Sequence, residues 1–564
     1  MIPVLRVRWF AFATAALLCV ATAVAGAATR VPGRDAIASA HPLATAAGRE
    51  ILAAGGNAFD AAVAVAAALA VVEPSGSGLG GGGFFLLHRA RDGRQVVVDA
   101  RETAPLRATR DMYLDSAGMP VAAASTDGPL AAAIPGEPAA FEHLARRYGR
   151  LPLARSLAPA IRLAREGFAI DERLAMGLRI RRDALRRSPE AARVFLVGDV
   201  APEPGYRLRQ PELATVLEAM AAQGSRAFYS GPVASKLVAS VQAGGGIWTL
   251  EDLAGYRVIE RQPLVGDYRN HRIVSVPPPS SGGLGLIGAL NVLSGFELDR
   301  VGSVTRTHLV VEALRRTFRD RAELLGDPAF VAMPLARLLH PYYADGLRVA
   351  IRPDRALPST ALAGHVGDTA QGSETTHFSI LDRAGNRVAA TISLNQWFGS
   401  GWVVPGTGVL LNNTMDDFAI KAGVPNLYGL IGTAANAIEP GKRPLSSMTP
   451  AFIEGDDGVM IVGTPGGSRI ISMVLLATLD RIAGRTAREI VAAPRFHHQY
   501  WPDIVQYEPG AIGDADAAAL GALGHRLVPA RMPWGNLQVV TWDFASGAVE
   551  AASDPRGKGA GQVY

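Results

Sequence analysis

Two adjacent threonines, Thr375 and Thr376, head a stretch in which apolar and polar residues alternate through 377–381 and again through 388–394. Asp382, Ala384, Gly385 and Asn386 supply turn residues between the runs, so the pattern predicts a β-hairpin led by the threonine pair. A threonine hydroxyl attacks poorly without a base beside it. One solution is to make the threonine a chain end, so that its own α-amine takes the proton. Cleavage after Glu374 would expose Thr375 in that role. The hydroxyl could make the cut itself, attacking the Glu374 carbonyl through a five-membered ring to give an ester that water opens. A bare Thr-Thr pair also suits any strand of branched residues, so the chemistry needs support elsewhere in the chain.

That support is a set of motifs: T-T-H-F-S at 375–379, L-L-N-N-T-M-D-D-F at 410–418, P-L-S-S-M at 444–448, T-P-G-G-S-R at 464–469 and S-D-P-R-G at 553–557. In this order the sequence resembles the γ-glutamyltranspeptidases (glutathione hydrolases), from about Ala36 almost to its end. The resemblance implies an α+β fold, the four-layer αββα sandwich of the N-terminal-nucleophile hydrolases. It also implies a precursor that cuts itself into a large-subunit region, 28–374, and a small-subunit region, 375–564.

Composition agrees with a folded globular protein. The 564 residues are 49% hydrophobic and 19% charged, and the net charge of +5 comes without a dense basic run, which argues against nucleic acid. Residues 1–27 read as a secretory signal, with arginines, an apolar run from Trp9 and small-residue cleavage sites at 23–27. A retained anchor is the competing reading; the alanine-rich composition favours removal, leaving a periplasmic or secreted protein with no membrane association. Cys19 is the only cysteine and lies within this segment.

Residues 41–72 read as two helices broken at Gly55-Gly56, the second a buried core helix. The glycine run 78–83 lacks the Lys-Ser/Thr of a phosphate loop and predicts a tight turn into a hairpin, 84–87 with 96–99. Arg101 lies just past that hairpin. Arginine grips carboxylates with paired hydrogen bonds, and the resemblance makes Arg101 the holder of a glutamyl α-carboxylate. Pro138 suits a first helical turn, and the arginine stripes of 305–319 read as solvated faces. Residues 353–374 read as a mobile connector.

On the second strand, Ser393 and Asn395 share a face. The resemblance makes Ser393, a threonine in relatives, the partner of the nucleophile and Asn395 a contact of the bound glutamate. Asp417 of the Asp416-Asp417 pair is implied to read the substrate ammonium, Ser446 and Ser447 its carboxylate. Gly466 and Gly467, at a strand-to-helix junction, are implied to form an oxyanion hole. Thr414 departs from the Gln or Glu usual in relatives, which puts the substrate in doubt. Residues 418–443 resemble a lid with Tyr428 at its gate, and Trp397 is placed near the entrance. His377, His497 and His498 lack metal-ligand spacing, so neither a metal nor an organic cofactor is expected. The expected donors are γ-glutamyl compounds such as glutathione, and the acceptors water, amino acids or peptides. A glutaryl-type (cephalosporin) acylase and an uncleaved, inactive glutamyl-binding protein are the alternatives.

Overall fold

The computed structural model describes residues 31–121, 123–362, 364 and 375–564. The leader-like segment, Glu374 and half of the connector lie outside the described residues. Two large antiparallel sheets organise the rest. Their strands are β1 (Ala36–Ser39), β2 (Gly82–Arg89), β3 (Arg94–Ala100), β4 (Ile259–Arg261), β5 (Leu264–Tyr268), β6 (His271–Ser275), β7 (Thr376–Leu381), β8 (Arg387–Ser393), β9 (Ala451–Gly455), β10 (Gly458–Gly463), β11 (Gln538–Asp543), β12 (Val549–Ser553) and β13 (Ala560–Val563). The first sheet runs β13-β1-β7-β8-β2-β3-β4 and the second β12-β11-β10-β9-β6-β5. The expected hairpin is β7 with β8, in register from Thr376 opposite Ile392 to Leu381 opposite Arg387.

Period-two alternation decides how the layers stack. Phe378, Ile380, Val388, Ala390 and Ile392 face one way, into a core with α1 (Pro42–Ala53), α2 (Ala58–Val72), α3 (Glu137–Arg147), α4 (Leu153–Glu166) and α5 (Glu172–Arg186). Leu381 and Ala389 face the other way, where Phe84, Leu86 and Val97 meet Val274, Phe452, Ile461 and Val540 of the second sheet. That sheet turns Ile273, Ile453, Met460, Val462 and Val539 outward onto α6 (Gly282–Leu293), α7 (Ser303–Leu324) and α8 (Arg469–Ile482). The result is helix, sheet, sheet, helix.

Helix α2 shows why sequence and place agree. Asn57 and Asp60 close a capping box, and all fifteen residues that follow are buried, as an Ala/Val/Leu helix apolar on every side must be. No helix among the described residues is long and apolar enough to cross a membrane. The glycine loop before β2 is as tight as predicted: a Cβ at Gly81 would sit 2.1 Å from the Ser393 carbonyl oxygen.

Part of the arginine stripe of α7 departs from expectation, as does Arg321 beyond it. Arg315 and Arg316 are 1% exposed and Arg321 6%, so these are interior residues, not a solvated face. Each is matched. Arg315 reaches Glu312 (3.1 Å), Ser359 Oγ (2.6 Å) and Asp503, while Arg316 bonds Glu312 (2.5 Å) and the Leu347 carbonyl (3.0 Å). Arg321 Nε donates to Ser281 Oγ at 3.1 Å. Residues 340–362 and 498–525 fold over what would otherwise be the helix's wet side, a tertiary event that helical periodicity does not reveal.

Candidate active site

Thr375 stands immediately before β7, on the face that looks between the sheets. Its Oγ1 lies 3.3 Å from Ser393 Oγ at the end of β8, and that oxygen accepts the Asn395 amide at 2.7 Å. The chain turns sharply at Asn395, with φ at +80°, a conformation asparagine tolerates better than most residues. The turn lets Asn395 Nδ2 donate to the Asn413 carbonyl at 3.1 Å.

Of the residues singled out from sequence, Arg101, Thr375, Ser393, Asn395, Asp417, Tyr428, Ser446, Ser447 and Gly467 line one cleft, with Leu430, Met448 and Ile470 as its apolar wall. Gly466 is the neighbour of Gly467 on the same turn. Arg101 is 1% exposed; its Nη2 pairs with Asp417, its Nη1 with Glu102 at 3.3 Å, and its Nε donates to the Pro444 carbonyl at 3.2 Å. Burial pushes Asp417 above the ordinary carboxylate range, against the pull of Arg101 and of Arg321 behind it. The cleft thus carries a buried cation beside a partly buried carboxylate.

Asp416 points elsewhere. Its carboxylate accepts Ser125 Oγ (2.8 Å) and the Leu427 amide (2.9 Å), tying residues of the 418–443 segment to the body, and burial raises it to about 6. Tyr428 closes that segment over the site: its Oη donates to the Asn395 carbonyl (2.6 Å) and to Asn395 Oδ1 (2.7 Å). The tyrosine ring occupies the space a side chain at Gly467 would need, since a Cβ there would meet it at 2.4 Å.

Gly466 and Gly467 adopt φ of +144° and +57°. They lead into α8, whose N-cap residue Ser468 makes no side-chain cap bond, and their carbonyls accept the Arg469 and Ile470 amides at 3.1 and 3.3 Å. Ser447 Oγ, on the cleft wall, is buried and has no hydrogen-bond partner among the described residues. Ser446 is held by backbone bonds to Pro279 and Ser281, both 2.8 Å.

Three residues escaped the sequence reading. Glu102 follows Arg101 directly and accepts Thr414 Oγ1 at 2.9 Å, so Thr414 is spent on Glu102 and does not line the cleft. Arg321 lies behind Asp417, its ionisation lowered to about 10 by burial against the pull of Asp417. Glu73, at the end of α2, accepts the Thr376 hydroxyl at 2.5 Å. Only the adjacency of Glu102 to Arg101 left a trace in the sequence. Trp397 is likewise not among the cleft-lining residues: it packs over Gly177 beneath the Arg173 guanidinium, 5.2 Å away.

The three histidines weighed for metal are used otherwise, His377 bonding Thr391 (2.8 Å), His497 Ser472 (2.7 Å) and His498 Asp503 (3.1 Å). Among the described residues, His308, Glu312 and His525 bring ligand atoms within 4.8 Å of one another. Two arginines already occupy the Glu312 carboxylate, and the histidines bond each other at 2.8 Å.

A four-layer sandwich with its cleft at the head of a seam strand is the architecture of the N-terminal-nucleophile hydrolases. A family profile described as Gamma-glutamyltranspeptidase matches residues 44–564, and the chain belongs to that family. It is 44% identical over 495 residues to the glutathione hydrolase proenzyme of Pseudomonas sp. (strain A14), covering 87% of this chain and 86% of that protein. Against the glutathione hydrolase proenzyme of Escherichia coli (strain K12) it is 41% identical over 525 residues, 92% and 90% of the two chains. The solved cephalosporin acylase of Bacillus halodurans superposes with a TM-score of 0.82 at 30% identity, over 94% of this chain and 96% of that one.

Proposed function

We propose that this chain is a self-processing γ-glutamyltransferase and glutathione hydrolase, exported with residues 1–27 removed and cut at Glu374–Thr375 into two subunits. The observation that carries the reading is the convergence, on one cleft, of the strand-heading Thr375, the Arg101–Asp417 pair and the unpartnered Ser447 hydroxyl. An α-carboxylate fits Arg101 with Ser446 and Ser447. An α-ammonium fits Asp417 and Asn395. A substrate held at both ends presents its γ-amide carbonyl to Thr375.

Thr375 Oγ1 attacks that carbonyl carbon while the freed α-amine takes the hydroxyl proton. The tetrahedral oxyanion is met by the Gly466 and Gly467 amides. Collapse expels the amine, which receives the proton, and leaves a γ-glutamyl ester on Thr375. Water or the amine of an amino acid or peptide then attacks the ester, and the hydroxyl is regenerated. Because a chain-end amine titrates near about 8, the rate rises from neutral to mildly alkaline pH.

Mass spectrometry of the purified protein tests the reading. Two fragments meeting between Glu374 and Thr375 are expected, with Thr375→Ala remaining one inactive chain; an active protein in one piece would overturn it. A second reading, a glutaryl-type acylase, is favoured by Thr414, whose hydroxyl is committed to Glu102, and by the likeness to the cephalosporin acylase. Turnover of γ-glutamyl against glutaryl anilides separates the two: the acylase reading predicts the glutaryl compound is cleaved at least as fast.

A further inference from the structure

Cleavage before Thr375 would turn an internal residue into a strand end, and strand ends fray. The ladder beside it is one-sided. Strand β8 pairs with β7 from Thr376 onward, but β1, on the other edge, reaches only Phe378, opposite Ser39. Thr376 and His377 therefore lack half of the strand pairing that holds the residues after them. Something else has to keep the Thr375 hydroxyl opposite Ser393.

The helix layer supplies it. By alternation the Thr376 side chain points away from the cleft, toward α2, and its hydroxyl donates to the buried Glu73 carboxyl at 2.5 Å. Glu73 also shapes the turn that follows α2, its carbonyl accepting the amides of Gly76 (2.9 Å) and Ser77 (3.2 Å). Gly76 lies between the two groups: a Cβ there would be 3.4 Å from the Thr375 carbonyl oxygen and 3.5 Å from the Glu73 carboxyl carbon. The Gly76 carbonyl in turn accepts the Leu394 amide at 3.2 Å, next to Ser393. One short turn thus holds the head of β7 and the end of β8 together.

We propose that Glu73 is a positioning residue for Thr375: by holding the Thr376 hydroxyl it fixes the first peptide of β7, so that the Thr375 oxygen stays in place once residue 375 has become a chain end. The inference rests on the proposed role of Thr375. The groups facing Glu73 are Arg173 of α5, Asp171 at its N-cap and Thr376 of β7. Burial raises the carboxyl to about 7, with Arg173 and the Thr376 bond pulling it down and Asp171 pushing it up. An ionised acceptor holds a hydroxyl more strongly than a neutral one, so the tie tightens as pH rises through neutrality.

The test compares Glu73→Ala, Glu73→Gln, Thr376→Val, Thr376→Ser and the Glu73→Ala/Thr376→Val double variant, with rates normalised to cleaved enzyme. Misplacing an attacking atom by about 1 Å costs up to about a hundred-fold. The expected result is a kcat at least about ten-fold lower in Glu73→Ala and Thr376→Val, with KM changed by less than about two-fold. The double variant should be no worse than either single one, and Thr376→Ser should restore the rate. Glu73→Gln should match the parent near pH 6 and fall several-fold behind it near pH 8.5. A Glu73→Ala protein that folds but stays uncleaved also supports the proposal, because the same oxygen makes the cut.

The proposal is overturned if kcat stays within about two-fold in both single variants, if the loss falls on KM alone, or if the losses multiply in the double variant. Should Glu73→Ala be insoluble, Glu73→Gln decides: a pH profile identical to the parent's overturns the proposal. Failure of the parent to cleave at Glu374–Thr375 would instead sink the role given to Thr375, so the two failures are distinguishable.

Discussion

Replacing Glu73 with glutamine should make the folded protein more stable, by an amount that grows as pH rises from about 4.5 to about 7 and is constant above that. The carboxyl titrates near 4.5 when unfolded and is raised to about 7 by burial in the fold. Between those values the native state binds more protons than the unfolded state, so stability falls as pH rises. The loss is complete above about pH 7 and amounts to about 3 kcal/mol, from 1.36 kcal/mol per pKa unit. Glutamine cannot ionise and keeps an acceptor for Thr376. Unfolding entropies of about 2.1 cal/mol/K per residue convert that difference into about 3 °C for a chain of this length. The assay is thermal unfolding of Glu73→Gln in the Thr375→Ala background, where a single uncut chain avoids the complication of two subunits. The variant should melt alongside its parent at pH 4.5 and about 3 °C above it at pH 8.5. An equal offset at both pH values, or a parent that gains on the variant as pH rises, would show that Glu73 does not ionise against its burial.

Tyr428→Phe removes the hydroxyl that serves both Asn395 oxygens and leaves buried acceptors short by about 1–3 kcal/mol. Limited proteolysis within 418–432 should accelerate, and the donor KM should rise by about five-fold or more. Gly467→Ala forces a side chain into a left-handed φ of +57° and against the Tyr428 ring; kcat should fall by about a hundred-fold or more with the circular-dichroism spectrum unchanged. Arg315→Met leaves Glu312 and Asp503 short of a buried cation and should cost about 3–5 kcal/mol, read as a lowered denaturation midpoint in urea.

Local pattern carried the hairpin, because β7 and β8 alternate cleanly and each face meets a different layer; it carried α2, because a helix apolar on every side has nowhere to go but inside. Many of the residues that line the cleft were picked out for another reason: they sit in short motifs that resemble those of a known family, and that resemblance, not any single side chain, gave each its expected role. What stayed hidden depends on long-range packing. Arg315 and Arg316 look like solvent-facing charges until residues 340–362 and 498–525 fold over them. Thr414 reads as a missing acceptor until Glu102, far away in sequence, is found beneath it. Glu73 looks like a helix-ending glutamate, and nothing local says that Thr376 lies against it. Trp397, adjacent to the site in sequence, packs against α5, because the left-handed backbone at Asn395 swings the following residues away.

The same topology explains how a cut at Glu374–Thr375 could leave one working particle. In the first sheet β7, β8 and β13 follow the proposed cut, and they alternate with strands that precede it: β1 lies between β13 and β7, and β2 pairs with β8. In the second sheet β9 pairs with β6 across the same divide. Ser359, upstream, is tied to Asp503, downstream, through its amide at 2.6 Å and through Arg315. Breaking one peptide bond removes none of these contacts, and pulling the halves apart would expose the unpaired edges of both sheets. The cleft also draws on both sides: Arg101 comes from before the proposed cut, and Thr375, Asp417 and Ser447 from after it. On the proposed processing, a chain built this way would have to fold before it could cut itself. Until both sheets are paired, Thr375 has neither Ser393 opposite its hydroxyl nor Glu73 behind its strand, and the bond to be cut has no site to cut it.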